Sequence, residues 1–252
     1  MDRWKGQYNN AQLVIRKHRA FLRTQVLIPD VPRTSPQSFL GIDLGVVNTA
    51  VCSDNSFFHS KKLRAVKGSY QFLKRKLQHT GTRSAHRKLQ RLSGRERRFV
   101  LDTNHCISKA IANKPYGCFV MEMLTYIRRR GKCKKFNKKL GGWSFAELRR
   151  FIEYKAEPLG KCVIYVNPHH TSQRCSRCGY TNKKNRVGST FRCLRCSFTL
   201  HADLNASRNI GVLGKSEYLR LHVNQPIVAP GEAVPTGAVD GSCKPAPSGS
   251  GS

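Results

Sequence analysis

Four cysteines, Cys175, Cys178, Cys193 and Cys196, stand in the pattern C-x2-C-x14-C-x2-C. Two thiol pairs at this spacing read as two knuckles closing one tetrahedral structural zinc site, which ties the residues between them into a small ribbon. The run His201-Ala202-Asp203-Leu204-Asn205 follows at once, so Asp203 lies seven residues past the last thiol, at the start of an expected helix. A metal clip set directly before a lone acid suggests that the clip positions the acid. His169 and His170, just upstream of the first pair, are alternative ligands by type, but four thiolates already complete a tetrahedron.

Two further acids stand out in a basic chain. Asp43 is embedded in FLGIDLG and Glu122 in CFVMEML, each at or near the end of an apolar, strand-like run. Burying an unpaired carboxylate is costly, so each needs a cation, a hydrogen-bond network or a metal. Either acid alone also reads as a strand-end carboxylate paired with one of the many arginines. Taken with Asp203, the set becomes two strand acids and one helix-start acid. Mg²⁺ prefers carboxylates, waters and phosphate oxygens, and two such ions can activate water and stabilise the leaving oxygen of a phosphodiester. Asp43, Glu122 and Asp203 are therefore the candidate catalytic and magnesium-binding residues. His201 either touches substrate phosphate, assists proton transfer, or packs and caps the helix. Asn48, five residues after Asp43, orients either the strand turn or a metal-bound water.

The charge balance points to the partner. Lys and Arg number 46 against 14 Asp and Glu, a formal charge of +32, and such a chain binds polyanions because neutralised phosphates release counterions. A ribosomal-type structural protein would carry the same charge, so the chemistry rests on the acids. Fourteen Lys or Arg lie between Lys61 and Arg98 against a single acid, Glu96; that is too lopsided for a salt-bridged solvated face. Lys74, Arg75, Arg87 and Lys88 in this run are candidate nucleic-acid contacts. So are Arg128, Arg129, Arg130, Lys134 and Lys135 in the Gly-containing loop 128–142. Apolar residues at 39% suffice for a packed core. The polar start MDRWKGQYNN is no signal peptide, and no apolar run is long enough to span a membrane. The other six cysteines show no paired spacing and read as buried free thiols. The expected location is a prokaryotic cytoplasm, associated with the nucleoid.

Along the chain, residues 11–29 read as two strands joined by a tight basic turn, and Pro29, Pro32 and Pro36 as a linker. FLGIDLGVVNTAVCS gives strand, turn and strand, and SFFHSKKLRAV a third. Residues 67–112 read as helical through Tyr70, Leu73, Leu77 and then Val100, Asn104, Ile107, Ile111. Residues 116–122 and 162–167 read as buried strands. Between them, Ser144 and Glu147 form a capping-box pattern opening an amphipathic helix, which Pro158 and Gly160 end. A helix from Asp203 through Ile210 precedes a Pro-, Gly- and Ser-rich tail from residue 214.

These residues resemble the TnpB/OrfB family of transposon-associated proteins, relatives of the nucleases from which type V CRISPR effectors derive. The matching text is GIDLGVVNTA, VMEML, WSFAELRRFIEYKA, NPHHTSQRCSRCG and FRCLRCSFTLHADLNASRNI. The resemblance implies an α/β, RNase H-like (RuvC) mixed sheet flanked by helices, interrupted by a four-cysteine zinc ribbon. It implies that Asp43, Glu122 and Asp203 bind Mg²⁺ and cut DNA, with guide RNA and target DNA as partners. Typical members carry a wedge barrel and a helical recognition lobe before the first catalytic strand; here 42 residues precede Asp43. The expected organisation is remnant wedge-like strands and linker in 1–36, nuclease domain in 37–171, ribbon in 172–199, final helix in 200–213 and tail in 214–252. The alternative function is a nucleic-acid-binding transposon accessory or RNA-guided repressor without cleavage. A DNA-strand transferase would use the same metal geometry.

Overall fold

The computed structural model describes residues 7–16, 19–27, 29, 31, 32, 35–123 and 144–223. The first part is an antiparallel hairpin, β1 (Gln7–Arg16) against β2 (Arg19–Leu27). Its leucines and isoleucine stay open to solvent, with Leu13, Ile15 and Leu22 all largely exposed.

The central element is a five-stranded mixed sheet. β3 (Phe39–Asp43), β4 (Asn48–Cys52) and β5 (Phe57–His59) form an antiparallel meander. α1 (Lys61–Thr80) and α2 (Arg83–Ala112) follow as a helical hairpin. β6 (Cys118–Glu122) then lies parallel beside β3, and after α3 (Phe145–Ala156) β7 (Cys162–Val166) lies parallel beside β6. The spatial order is β5-β4-β3-β6-β7. A small antiparallel sheet holds β8 (Arg186–Val187), β9 (Thr190–Arg192) and β10 (Thr199–His201), in the order β10-β9-β8. β10 runs straight into α4 (Ala202–Val223).

The apolar runs explain the layering. A central parallel strand is covered on both faces and so reads as continuous hydrophobics. Along β6, Phe119 and Met121 join Leu40, Ile42, Ile107, Ile111, Leu148 and Ile152 in the core under α2 and α3. Cys118 and Val120 point the other way, to Val166 and Ile210 of α4. α4 crosses β3 at backbone distance. A Cβ on Gly41 would overlap the Ser207 carbonyl and the Gly211 backbone, and one on Gly214 would overlap the Val120 side chain.

Several elements differ from the sequence expectation. The third strand stops at His59, because Ser60 buries its hydroxyl on the carbonyls of Val46 (2.7 Å) and Val47 (2.5 Å) and α1 starts at Lys61. The expected helix 67–112 is two helices, broken at Gly81 (φ 65°) and restarted by Thr82, whose Oγ1 accepts the Ala85 N–H at 3.2 Å. Ser144 and Glu147 make no capping box. Both side chains instead accept from the buried Asn104 amide of α2, at 2.6 and 2.9 Å, which ties α3 to α2. The last helix runs to Val223, past the expected tail start at residue 214; Gly211 and Gly214, which look like helix breakers, serve its close packing. Among the free cysteines Cys52 and Cys118 are buried and Cys162 is partly so, but Cys106 is exposed. Cys133, Cys243 and the tail from residue 224 lie outside the described residues. Among the described residues no helix is long and apolar enough to cross a membrane.

Candidate carboxylate site and cysteine ribbon

Asp43 and Glu122 each end their strand. β3 and β6 are parallel neighbours in register through Ile42 and Met121, so the next residue on each strand is the acid. Asp203 arrives in the first turn of α4, which packs across both strands. Burial pushes the Asp43 carboxyl well above the usual carboxylate range; the Glu122 and Asp203 charges push it the same way, against Arg186. Burial likewise raises Glu122, opposed by a hydrogen bond from Thr171 and by Arg186. The three acids therefore share one field, and Arg186 is the cation that acts on both strand acids.

Two of the acids, Glu122 and Asp203, also have their own holders. The Thr171 hydroxyl donates to Glu122 Oε1 at 2.5 Å. Arg186 Nη2 donates to Asp203 Oδ1 at 2.9 Å, and Asn48 Nδ2 donates to Asp203 Oδ2 at 3.0 Å. Among the described residues no three acidic side chains are drawn together as tightly as the four thiols. Asp203 in particular is turned to its two donors.

Those thiols, Cys175, Cys178, Cys193 and Cys196, lie within 4.8 Å of one another. The Cys175–Cys196 and Cys178–Cys193 sulfurs are 3.8 and 3.5 Å apart. A tetrahedron with metal–sulfur bonds of about 2.3 Å has edges of about 3.8 Å, so the donor set fits zinc. Each pair is folded as a tight knuckle: the Gly179 N–H donates to the Cys175 carbonyl and the Ser197 N–H to the Cys193 carbonyl, both residues at positive φ. Glycine suits that backbone at residue 179, whereas Ser197 adopts it with a side chain.

The ribbon is fastened to the helix that carries Asp203. On α4, Asn205 Nδ2 donates to the Arg174 carbonyl (2.8 Å) and its Oδ1 accepts the Ser176 N–H (3.0 Å). One turn on, Asn209 Nδ2 donates to the carbonyls of Thr171 (2.8 Å) and Arg174 (2.7 Å). The same short turn thus holds Thr171 against Glu122 and Cys175 in the thiol cluster. Arg186 comes from within the ribbon, at the start of β8. Sequence reasoning missed it, because nothing in its spacing separates it from the other cations of that loop.

The remaining sequence candidates fall into three groups. His201 caps: its Nδ1 accepts the Asp203 N–H at 3.3 Å, and its ring stands edge-on to Phe57 at 5.2 Å. His169 and His170 are exposed and outside the thiol cluster; His170 Nδ1 instead lies 3.1 Å from Gln173 Oε1. Arg75, Arg87 and Lys88 are exposed on α1 and α2. Lys74 is instead engaged by Glu96, the single acid of the run, at 2.5 Å. Arg128, Arg129, Arg130, Lys134 and Lys135 lie outside the described residues.

Comparison with known proteins places this geometry. Residues 23–125 match the OrfB_IS605 family, described as "Probable transposase", and residues 145–210 match the "Cas12f1-like, TNB domain". The "TnpB-like protein MJ0751" of Methanocaldococcus jannaschii is 38% identical over 127 residues, 48% of this chain and 45% of that protein. Over these residues the chain is similar to the TnpB/OrfB family. A further relative, "CRISPR-associated endodeoxyribonuclease Cas12f1" from an uncultured archaeon, is 31% identical over 212 residues, 72% of this chain and 40% of that protein. The solved "Cas12f1-sgRNA-target DNA complex" superposes with a TM-score of 0.58 at 26% identity, covering 78% of this chain and 54% of that one. The chain thus spans less than half the length of these two curated relatives.

Proposed function

We propose that this chain is a metal-dependent DNA endonuclease of the RuvC type, with Asp43, Glu122 and Asp203 as its catalytic carboxylates and a guide RNA directing it to target DNA. The observation that carries this reading is the convergence of three acids from two adjacent parallel strand ends and a helix start, with Arg186 beside them. An antiparallel meander continued by two parallel strands, with acids at these positions, supports an RNase H-like sheet. The named activity and complex of the Cas12f1 relatives support DNA as substrate and RNA as guide.

The residues fit Mg²⁺. Asp43 and Glu122 are raised by burial, and Asp43 further by its two acidic neighbours, as expected where the resident cation does not balance the carboxylates. Bound Mg²⁺ supplies Lewis acidity and a water of lowered pKa. Asp43, Glu122 and Asp203 would hold it. Thr171 fixes the face that Glu122 presents. The Arg186 guanidinium, a fixed fork of donors, matches a phosphate and stabilises negative charge that develops on it. Zinc in the ribbon is structural: four thiolates leave no open position for substrate. The exposed Arg75, Arg87 and Lys88 supply sequence-independent phosphate contacts.

The test uses the purified chain with the RNA that co-purifies with it, matched DNA and Mg²⁺. Cleavage by the wild type and its loss to background in Asp43→Asn is the expected result. Equal cleavage by both, or none by either with matched guides, refutes the reading.

A further inference from the structure

We infer that His59 and Asn48 form a positioning shelf that fixes the orientation of Asp203, an inference that rests on the nuclease reading of that acid. Asn48 opens β4 and is only 4% exposed; its cross-strand partner on β5 is His59. A carboxylate oxygen only accepts, so the half of the Asn48 amide facing Asp203 Oδ2 at 3.0 Å is the NH2. The amide oxygen is thereby turned to His59 Nδ1, 2.8 Å away, and that nitrogen must carry the proton. The two orientations of a primary amide have the same shape. At this buried position the His59 proton selects the one that donates to Asp203.

The same edge strand supports Asp203 a second time. The His59 ring stacks on Phe57 at 5.9 Å, and Phe57 meets the edge of His201, whose Nδ1 accepts the Asp203 backbone N–H. Backbone and carboxylate of one acid are thus both referred to β5. Oδ2 is held by Asn48 and Oδ1 by Arg186, so the shelf sets which way the carboxylate plane faces.

The experiment compares His59→Leu, which removes the donor, with His59→Asn, which restores one, in the full chain. Outer partners that orient metal ligands are typically worth about 10–100-fold in metal affinity or activity. His59→Leu should therefore raise the Mn²⁺ concentration for half-saturation, followed by manganese relaxivity, by about 10–100-fold. It should lower kcat with KM for DNA unchanged, and His59→Asn should recover most of both. The Asn48 side-chain amide protons, followed by NMR, read the shelf apart from the chemistry: their shifts should move in His59→Leu and return in His59→Asn. Unmoved amide shifts, or unchanged Mn²⁺ affinity in His59→Leu, overturn the shelf. Failure of the wild type to cut DNA, with the amide shifts moving as expected, overturns the nuclease reading and leaves the shelf standing.

Discussion

Asn205→Ala tests whether the ribbon is held on α4 by side-chain amides. Asn205 is fully buried and makes two hydrogen bonds, to the Arg174 carbonyl and from the Ser176 N–H. Truncation removes both, at about 0.5–1.5 kcal/mol net each. The Arg174 carbonyl keeps a partner in Asn209, but the Ser176 N–H is orphaned, which adds about 1–3 kcal/mol. The combined loss is about 3 kcal/mol, and at about 2–4 °C per kcal/mol for a chain of this size the Tm should fall by about 6–12 °C. Asn209→Ala removes bonds to two carbonyls, one of which Asn205 still serves, and strands no N–H. Its effect should be smaller. Thermal and urea unfolding of the two zinc-loaded variants, side by side with wild type, supplies the comparison. A loss below about 1 kcal/mol for Asn205→Ala, or a larger loss for Asn209→Ala, would show that the clamp reasoning is wrong.

Three other outcomes follow from the same geometry. Cys193→Ser should abolish stoichiometric zinc in metal analysis and lower the Tm, because structural zinc contributes folding free energy directly; unchanged zinc content and melting would remove the ribbon from the account. Asp43 and Glu122 have folded carboxyl pKa values above their unfolded ones, so the metal-free protein holds their protons more tightly when folded. Its stability should fall as pH rises from the ordinary carboxylate range through the raised values, and Asp43→Asn should raise the metal-free Tm at pH 7 while flattening that slope; a lowered Tm at pH 7 contradicts this. Gly41→Ala should destabilise by more than about 3 kcal/mol in urea unfolding, since its methyl meets backbone on α4; a neutral effect would mean that the helix sits farther from β3.

The core strands and the thiol cluster were legible because their signals are local. FLGID, CFVME and CVIYV are continuous apolar runs, and the cysteine spacing encodes its own geometry. What was not legible depends on tertiary partners. Ser144 and Glu147 read as a capping box until Asn104, some 40 residues earlier in the chain, claims both. The helix expected from Asp203 through Ile210 continues through Gly211 and Gly214, whose missing side chains give β3 and β6 the room they need. The lopsided charge of residues 61–98 hid the fact that their one acid, Glu96, pairs with Lys74. Arg186 had no sequence signal at all: its role comes from β8 placing it over the mouth of α4.

The hydrogen bond between Asn48 and Asp203 joins residues 155 positions apart. During synthesis the first two acids and their strands leave the ribosome long before the third. Loop closure over that span must come before Asp203 can join the contacts that β3, β4 and β6 make among themselves. No nascent chain that stops short of residue 203 holds the complete set, so the three acids can come together only after the start of α4 has been made.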